Sequence, residues 1–206
     1  MNASKPLLIA FCGPNGAGKS TLRQLTLAEL TGIPFINADE IAVAVFGKEQ
    51  AASKAYEAAA MAEEQRQAKL LAGESFSFET VMSHVSKVEF LQQAREAGYV
   101  VVAHFVGLDS AERSRARVIQ RVFNGGHDVP DDKIEARYAR VIENLGHLLD
   151  VPDELVIYDN SSADDPYRVV ARLELGRLTH LAVTVPSWLA LLNLESRLTA
   201  ETIRLS

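Results

Sequence analysis

The chain has 206 residues, of which 48% are hydrophobic and 23% charged, a composition that suits one folded domain and argues against disorder. Its formal net charge of −6 argues against a protein that binds nucleic acid or an anionic membrane through a general basic surface. The single cysteine, Cys12, excludes an intramolecular disulfide, and no apolar run is long enough to span a membrane, so we expect a cytoplasmic protein.

The first predicted elements are a strand and a helix joined by a glycine-rich loop. The apolar run 7–12 is typical of a buried strand, and the residues after it match G-x-x-x-x-G-K-[ST], the phosphate-binding loop. Backbone N–H groups and the helix N-terminus would hold phosphate there, Lys19 would reach the β/γ-phosphates, and the Ser20 hydroxyl would bind Mg²⁺. The predicted nucleotide-binding residues are Gly13, Pro14, Asn15, Gly16, Ala17, Gly18, Lys19, Ser20 and Thr21.

The rest of the chain alternates between predicted strands and helices. Further strands are expected at 33–37, 75–80, 99–107 and 154–160, and helices from 38, at 51–72, 86–97, 110–124 and 131–149. This alternation predicts an α/β fold of the P-loop NTPase type, with a doubly wound, mostly parallel sheet and ligands at the carboxyl ends of the strands. After Arg168 the pattern weakens, and we expect a hairpin that turns at Gly176 and an amphipathic helix within 186–198. No linker interrupts the sequence, so we predict a single P-loop domain over 1–206.

Other motifs separate the classes of protein that share this loop. The sequence has neither the SGGQ-type signature of transporter ATPases nor the Asn-Lys-x-Asp base reader of guanine-specific switches. Asp159 ends an apolar run and is a candidate metal carboxylate, so a nucleotide-hydrolysing regulator without an acceptor substrate stays open. The remaining class transfers the γ-phosphoryl group to a hydroxyl, and it needs a base, cationic groups and a lid that excludes water.

Two predicted strands end in carboxylates at the edge where phosphates would lie. Asp39 and Glu40 follow the strand 33–37, and Glu79 lies near the end of the strand 75–80. Asp39 is either a ligand contact or a carboxylate that caps or begins the next helix, favoured by the helix dipole. Glu79 is either a ligand contact or a strand-end charge that pairs with a lysine or arginine.

An arginine-bearing lid is predicted at about 110–149. Arg113, Arg117 and Arg121 lie four residues apart on one helical face, where like charges cost about a few tenths of a kcal/mol per pair and so favour an anion such as polyphosphate. A solvated basic face is the alternative. The following NGGH favours a hinge, and its His127 is either a phosphate ligand or a turn residue.

Together these motifs resemble the zeta-toxin family of P-loop kinases, in particular its small stand-alone members. The resemblance extends from about Leu7 to Asn160 and rests on GPNGAGKSTL, FINADEIA, FSFETVMSH and RVFNGGHDVPDDKIEARY. It implies a kinase that uses ATP and Mg²⁺ to phosphorylate the sugar 3′-hydroxyl of UDP-N-acetylglucosamine. It also implies a small antitoxin protein as the partner that holds the kinase inactive.

The resemblance assigns roles to single residues as well. Asp39 occupies the place of the family's catalytic aspartate, and Glu79 the place of the carboxylate that contacts substrate. Arg121 matches the first of two lid arginines that embrace the phosphates, and we expect Arg117 to assist it. The second lid arginine falls at or near His127, where the chain departs from the family pattern. His127 is therefore a candidate substrate contact, and the small-molecule acceptor stays open, with a nucleotide sugar as one candidate.

Overall fold

One mixed sheet organises the computed structural model, which describes residues 5–26, 32–123 and 131–205. The strands of the sheet are β1 (Leu7–Cys12), β2 (Phe35–Ile36), β3 (Phe76–Thr80), β4 (Val100–Gly107), β5 (Glu154–Asp159), β6 (Arg168–Glu174), β7 (Arg177–Ala182) and β8 (Ile203–Leu205). The α-helices are α1 (Lys19–Thr26), α2 (Ala38–Phe46), α3 (Ala55–Ala72), α4 (Ser86–Glu96), α5 (Ala111–Phe123), α6 (Asp131–Leu148) and α7 (Ser187–Ala190). None of the helices in these ranges is long and apolar enough to cross a membrane.

The strand order is β2-β3-β1-β4-β5-β6-β7-β8, and the first five strands of this order run parallel. Because β1 is flanked by β3 on one side and β4 on the other, the winding reverses next to β1, and a crevice forms there at the carboxyl ends. The predicted doubly wound, mostly parallel α/β sheet is therefore confirmed. The loop after β1 opens directly into the crevice.

Two apolar clusters hold the sheet between its helices. The larger cluster lies under α3, α4 and α6 and contains the ring contacts of Phe76 with Phe78, Phe90 and Tyr99. Fully burying one such ring contributes roughly 1.5–3 kcal/mol. The smaller cluster packs Leu22 of α1 on the opposite face of β1 and β4. The phosphate-binding loop connects β1 to α1 and is thus anchored at both ends by buried residues.

Within the described residues the predicted elements agree with the structure in type and order, with ends that differ by up to four residues, except near the C-terminus. The hairpin of β6 and β7 turns at Gly176, which has a φ of 76°, as expected. The helix predicted within 186–198 is wrong, because the segment divides into the four-residue α7 and a 3-10 helix, Leu194–Arg197. Asn193 lies between them with a φ of 46°, a left-handed conformation that interrupts a helix and that asparagine tolerates better than most residues. The short β8 was not predicted.

Candidate functional site

The glycine-rich loop curls at the carboxyl end of β1 because its glycines adopt conformations that other residues avoid. Gly13 has a φ of 139°, and a Cβ there would lie 2.1 Å from the carbonyl oxygen of Val106. Gly18 has a φ of 94° just before α1 begins. The loop therefore brings successive backbone N–H groups and the start of a helix to one place, the arrangement that binds anions.

Lys19 is the buried cation of this loop, with only 6% of its surface exposed. Its Nζ donates a hydrogen bond to the carbonyl oxygen of Pro14 at 3.0 Å and lies 3.7 Å from Oε1 of Glu79. Burial lowers the pKa of Lys19, and the Glu79 carboxylate is the strongest of the charges that oppose this shift. Smaller effects on the pKa of Lys19 come from the charges of Arg121, which lowers it, and Asp39, which raises it.

Glu79 connects the third strand to the phosphate-binding loop. In the parallel register of β1 and β3 it lies opposite Phe11, and its Oε2 accepts a 2.7 Å hydrogen bond from the Ser20 hydroxyl. The sequence offered Glu79 either as a ligand contact or as a charge paired with a lysine or arginine. Its partner is a lysine, as in the second alternative, but that lysine belongs to the phosphate-binding loop, so Glu79 also lies beside the proposed ligand site. The structure thus brings together the residues for which the sequence predicted phosphate, metal and substrate contacts.

The start of α2 separates two roles that the sequence left open for Asp39. The helix is capped by Asn37, whose Oδ1 accepts the backbone N–H of Asp39 at 2.8 Å. Asp39 and Glu40 are exposed carboxylates of the first turn, where the helix dipole favours them. Asp39 is therefore not the cap. The asparagine directly before the helix was the sequence signal for the cap that our interpretation missed.

The three arginines of α5 have different surroundings. Arg113 pairs with Asp109 at 2.6 and 2.8 Å on the exposed side, an ion pair of small energetic value. Arg117 donates to the carbonyl oxygen of Asn160 at 2.6 Å. Arg121 lies half-buried in the last turn of α5, and its charge lowers the pKa of Lys19. The predicted basic face thus contains an exposed ion pair, an arginine bonded to Asn160 and a half-buried arginine, while His127 lies outside the described residues.

Asp159, the candidate metal carboxylate of a hydrolysing ATPase, is committed to contacts within the chain. Its Oδ1 accepts the backbone N–H of Ser161 at 3.2 Å and the Trp188 Nε1–H at 3.3 Å, and its Oδ2 lies 3.5 Å from Arg168. These contacts join β5 to the hairpin and to α7. The carboxylate that approaches Ser20 is Glu79 instead.

Two residues beyond the end of β5 form hydrogen bonds with the phosphate-binding loop. The sequence did not predict these hydrogen bonds. The side-chain amide of Asn160 donates to the carbonyl oxygen of Ala17 at 2.8 Å. The Tyr167 hydroxyl donates to the carbonyl oxygen of Gly18 at 3.0 Å. Nothing in the local sequence signals contacts to a loop so far away in the chain.

The oxygen atoms at the start of α1 suit a magnesium ion bound with nucleotide. The Ser20 hydroxyl and the Glu79 carboxylate supply the hard oxygen donors that Mg²⁺ prefers. Within the described ranges, no three His, Cys, Asp or Glu residues form a metal cluster of their own. Mg²⁺ usually takes one or two protein oxygens and completes its shell with phosphate oxygens and water, so the oxygens of Ser20 and Glu79 are enough to fit it.

Comparison with known proteins identifies a family. Residues 8–144 match the model of a family described as "AAA domain". An uncharacterized protein of Haemophilus influenzae (strain ATCC 51907 / DSM 11121 / KW20 / Rd) is 29% identical over 136 residues, which cover 63% of this chain and 91% of that protein.

Solved structures show the same fold at low identity. A chain of the PezAT chromosomal toxin–antitoxin system of Streptococcus pneumoniae is 18% identical, with a TM-score of 0.60 over 84% of this chain and 73% of that one. The AvrRxo1-ORF1:-ORF2 complex with ATP contains a chain 19% identical, with a TM-score of 0.68 over 100% of this chain and 66% of that one. The resemblance to zeta-toxin-like P-loop kinases is confirmed as a likeness of fold.

Proposed function

The chain belongs to the AAA domain family, and on that premise we propose that it is a kinase that transfers the γ-phosphoryl group of ATP to a hydroxyl of a small molecule. One observation carries the proposal. Glu79, near the end of the strand that pairs with β1, contacts both the lysine and the hydroxyl of the phosphate-binding loop. A phosphate cradle with a carboxylate beside it supports phosphoryl transfer, for which Asp39 is the proposed base and Arg121 the proposed cation.

In this proposal the loop residues 13–21 hold the nucleotide. Backbone N–H groups bind the phosphate oxygens, and Lys19 moves from Pro14 to the β/γ-phosphates when they arrive. The Ser20 hydroxyl would hold Mg²⁺, which when bound neutralises charge on the phosphates. Burial holds the pKa of Lys19 below its ordinary value, so an arriving phosphate removes the energetic penalty of a buried cation.

The acceptor hydroxyl would enter from the side of α2 and β3. Asp39 is exposed, lies in the first turn of α2 and would accept the hydroxyl proton as the oxygen attacks the γ-phosphorus. Glu79 would orient the acceptor from the strand beside the loop. Arg121, assisted by Arg117, would stabilise the charge on the phosphoryl group during transfer, and His127 is proposed as a further substrate contact.

The acceptor that the family resemblance favours is the sugar 3′-hydroxyl of a UDP-N-acetyl amino sugar. A small antitoxin protein is the proposed partner and the cytoplasm the proposed location, and the PezAT neighbour, itself part of a toxin–antitoxin system, supports the first of these. The competing function is hydrolysis of the nucleotide without an acceptor. The sequence supported hydrolysis only through Asp159 as a candidate metal ligand, and the Asp159 carboxylate instead contacts Ser161, Trp188 and Arg168.

ATP turnover with and without acceptors tests the proposal. The chain is incubated with ATP and Mg²⁺ alone, and then with UDP-N-acetylglucosamine, other nucleotide sugars and free sugars, and products are separated by mass spectrometry. A phosphorylated acceptor, formed one for one with ADP, is the expected result. Release of inorganic phosphate at the same rate without any acceptor would identify a hydrolase and contradict the proposal. A Lys19→Ala variant is the control for contaminating kinases.

A further inference from the structure

Side chains from distant parts of the chain bind the carbonyl groups of the phosphate-binding loop. Three such hydrogen bonds run from Ser114 Oγ to Asn15 O at 2.5 Å, from Asn160 Nδ2 to Ala17 O at 2.8 Å and from Tyr167 OH to Gly18 O at 3.0 Å. The donors lie 99, 143 and 149 residues away in sequence. We call these three donors the loop clamp.

Two members of the loop clamp belong to the segment that joins β5 to β6. Asn160 is 5% exposed, its Oδ1 accepts the backbone N–H of Tyr167 at 3.2 Å, and its own N–H donates to Gly107 at 3.0 Å. Tyr167 has a φ of 56°, a conformation that costs a residue with a Cβ about 1 kcal/mol or more. Both residues lie beyond residue 144, where the match to the family model ends.

The direction of these hydrogen bonds matters because a peptide group has two opposite ends. A phosphate cradle requires N–H groups to point at the ligand, and a peptide that rotates would present its carbonyl oxygen and repel the anion. The glycines at 13, 16 and 18 make such rotations easier than other residues would. A donor that holds a carbonyl on the outer side of the loop opposes the rotation before any ligand arrives.

We propose that Ser114, Asn160 and Tyr167 are positioning residues that preorganise the phosphate-binding loop for a polyphosphate ligand. The segment between β5 and β6, although outside the family match, is thereby a functional part of the nucleotide site. The inference rests on the proposed function for the identity of that ligand, a nucleoside triphosphate. Preorganisation raises affinity because less freedom is lost on binding.

Two variants that each remove one hydroxyl test the loop clamp. Tyr167→Phe and Ser114→Ala are compared with Tyr99→Phe and Ser196→Ala, whose hydroxyls donate to the carbonyl oxygens of Lys69 at 2.9 Å and Asn193 at 2.7 Å, outside the loop. Calorimetry measures the affinity for ATP–Mg²⁺ and for inorganic tripolyphosphate, and thermal unfolding measures stability. Each clamp variant should bind both ligands about fivefold more weakly, the loss expected for one hydrogen bond. The controls should bind as the wild type does.

Binding and turnover together separate this inference from the kinase proposal. The clamp variants should show a raised KM for ATP with kcat nearly unchanged, because the loop binds ground state and transition state alike. Unchanged affinity in both clamp variants, or an equal loss in the controls, would overturn the loop clamp. A loss of affinity for ATP without a loss of affinity for tripolyphosphate would overturn it too, because the removed hydroxyls would then affect binding of the nucleoside and not of the phosphates. A wild-type chain that binds ATP but phosphorylates no acceptor contradicts the kinase proposal alone.

Discussion

Replacing Asp39 by asparagine separates a catalytic role from a structural one. The change keeps the shape of the side chain and removes its charge and basicity. Because the cap of α2 is the side chain of Asn37, the variant retains the hydrogen bond that begins the helix. Asp39 is exposed, so the stability change is limited to the lost first-turn charge, about 0.3–1 kcal/mol.

The expected change in rate is far larger. Loss of a general base lowers the transfer rate by roughly two to four orders of magnitude. Nucleotide binding should stay near that of the wild type, because Asp39 is exposed and lies in the first turn of α2, outside the phosphate-binding loop. Asp39→Asn should therefore bind ATP–Mg²⁺ and transfer almost no phosphate.

Single-turnover transfer measured beside calorimetric ATP binding checks this prediction, and Asn37→Ala is the matched control. That control loses the capping hydrogen bond, so it should lose about 1 kcal/mol of unfolding free energy and keep its transfer rate within a small factor. An Asp39→Asn variant that transfers at nearly the wild-type rate would refute the role of Asp39 as the base. The search would then move to Glu40 and Glu79.

Three further predictions concern single side chains. Lys19→Ala should fold normally, because it removes a cation that is unfavourable in its buried position. It should lose nearly all phosphoryl transfer. Circular dichroism measures the folding and a kinase assay the transfer. Arg121→Ala should lower kcat about a hundredfold or more, with a smaller change in ATP affinity. Arg113→Ala breaks only an exposed ion pair with Asp109 and should transfer phosphate at the normal rate. Equal, mild losses of rate in both variants would contradict a catalytic role for Arg121. Burial lowers the pKa of His104 from 6.5 to about 4. Between pH 6.5 and about 4 the unfolded chain therefore binds a proton that the folded chain does not. The free energy of unfolding should fall by up to about 3 kcal/mol as the pH is lowered through that range. Denaturant unfolding at several pH values should show a smaller fall in His104→Gln, and equal falls would exclude His104 as the cause.

The phosphate-binding loop and the sheet were predictable because their signals are local. The loop needs glycines at fixed spacing between an apolar strand and a helix, and all of these lie within residues 7–26. The alternation of strands and helices then required a parallel sheet, so strand-end residues such as Asp39 and Glu79 were expected at one edge. Periodicity and spacing carried this much of the fold and of the site.

The features that the sequence did not predict are of two kinds, local backbone conformations and contacts between distant residues. The helix expected within 186–198 is interrupted by the left-handed conformation of Asn193, which hydrophobic periodicity does not reveal. The hydrogen bonds from Asn160 and Tyr167 to the loop require β5 and its hairpin to be in place first. Such contacts follow from the assembled sheet and leave no spacing pattern in the chain.

The two strand-end carboxylates Glu79 and Asp159 have different surroundings because their strands lie at different places in the sheet. Each lies at or near the end of a short apolar strand, and the local sequence made both candidates for the phosphate site. Strand β3 pairs directly with β1, so Glu79 lies beside the loop that leaves β1 and bonds to Ser20. Strand β5 is separated from β1 by β4, and its register aligns Asp159 with Gly107, where the carboxylate accepts the Trp188 N–H. The sequence motif named Glu79 as a candidate, but only the contacts of each side chain separate it from Asp159. Asn160, directly after Asp159, bonds to the loop, while Asp159 itself bonds to Trp188.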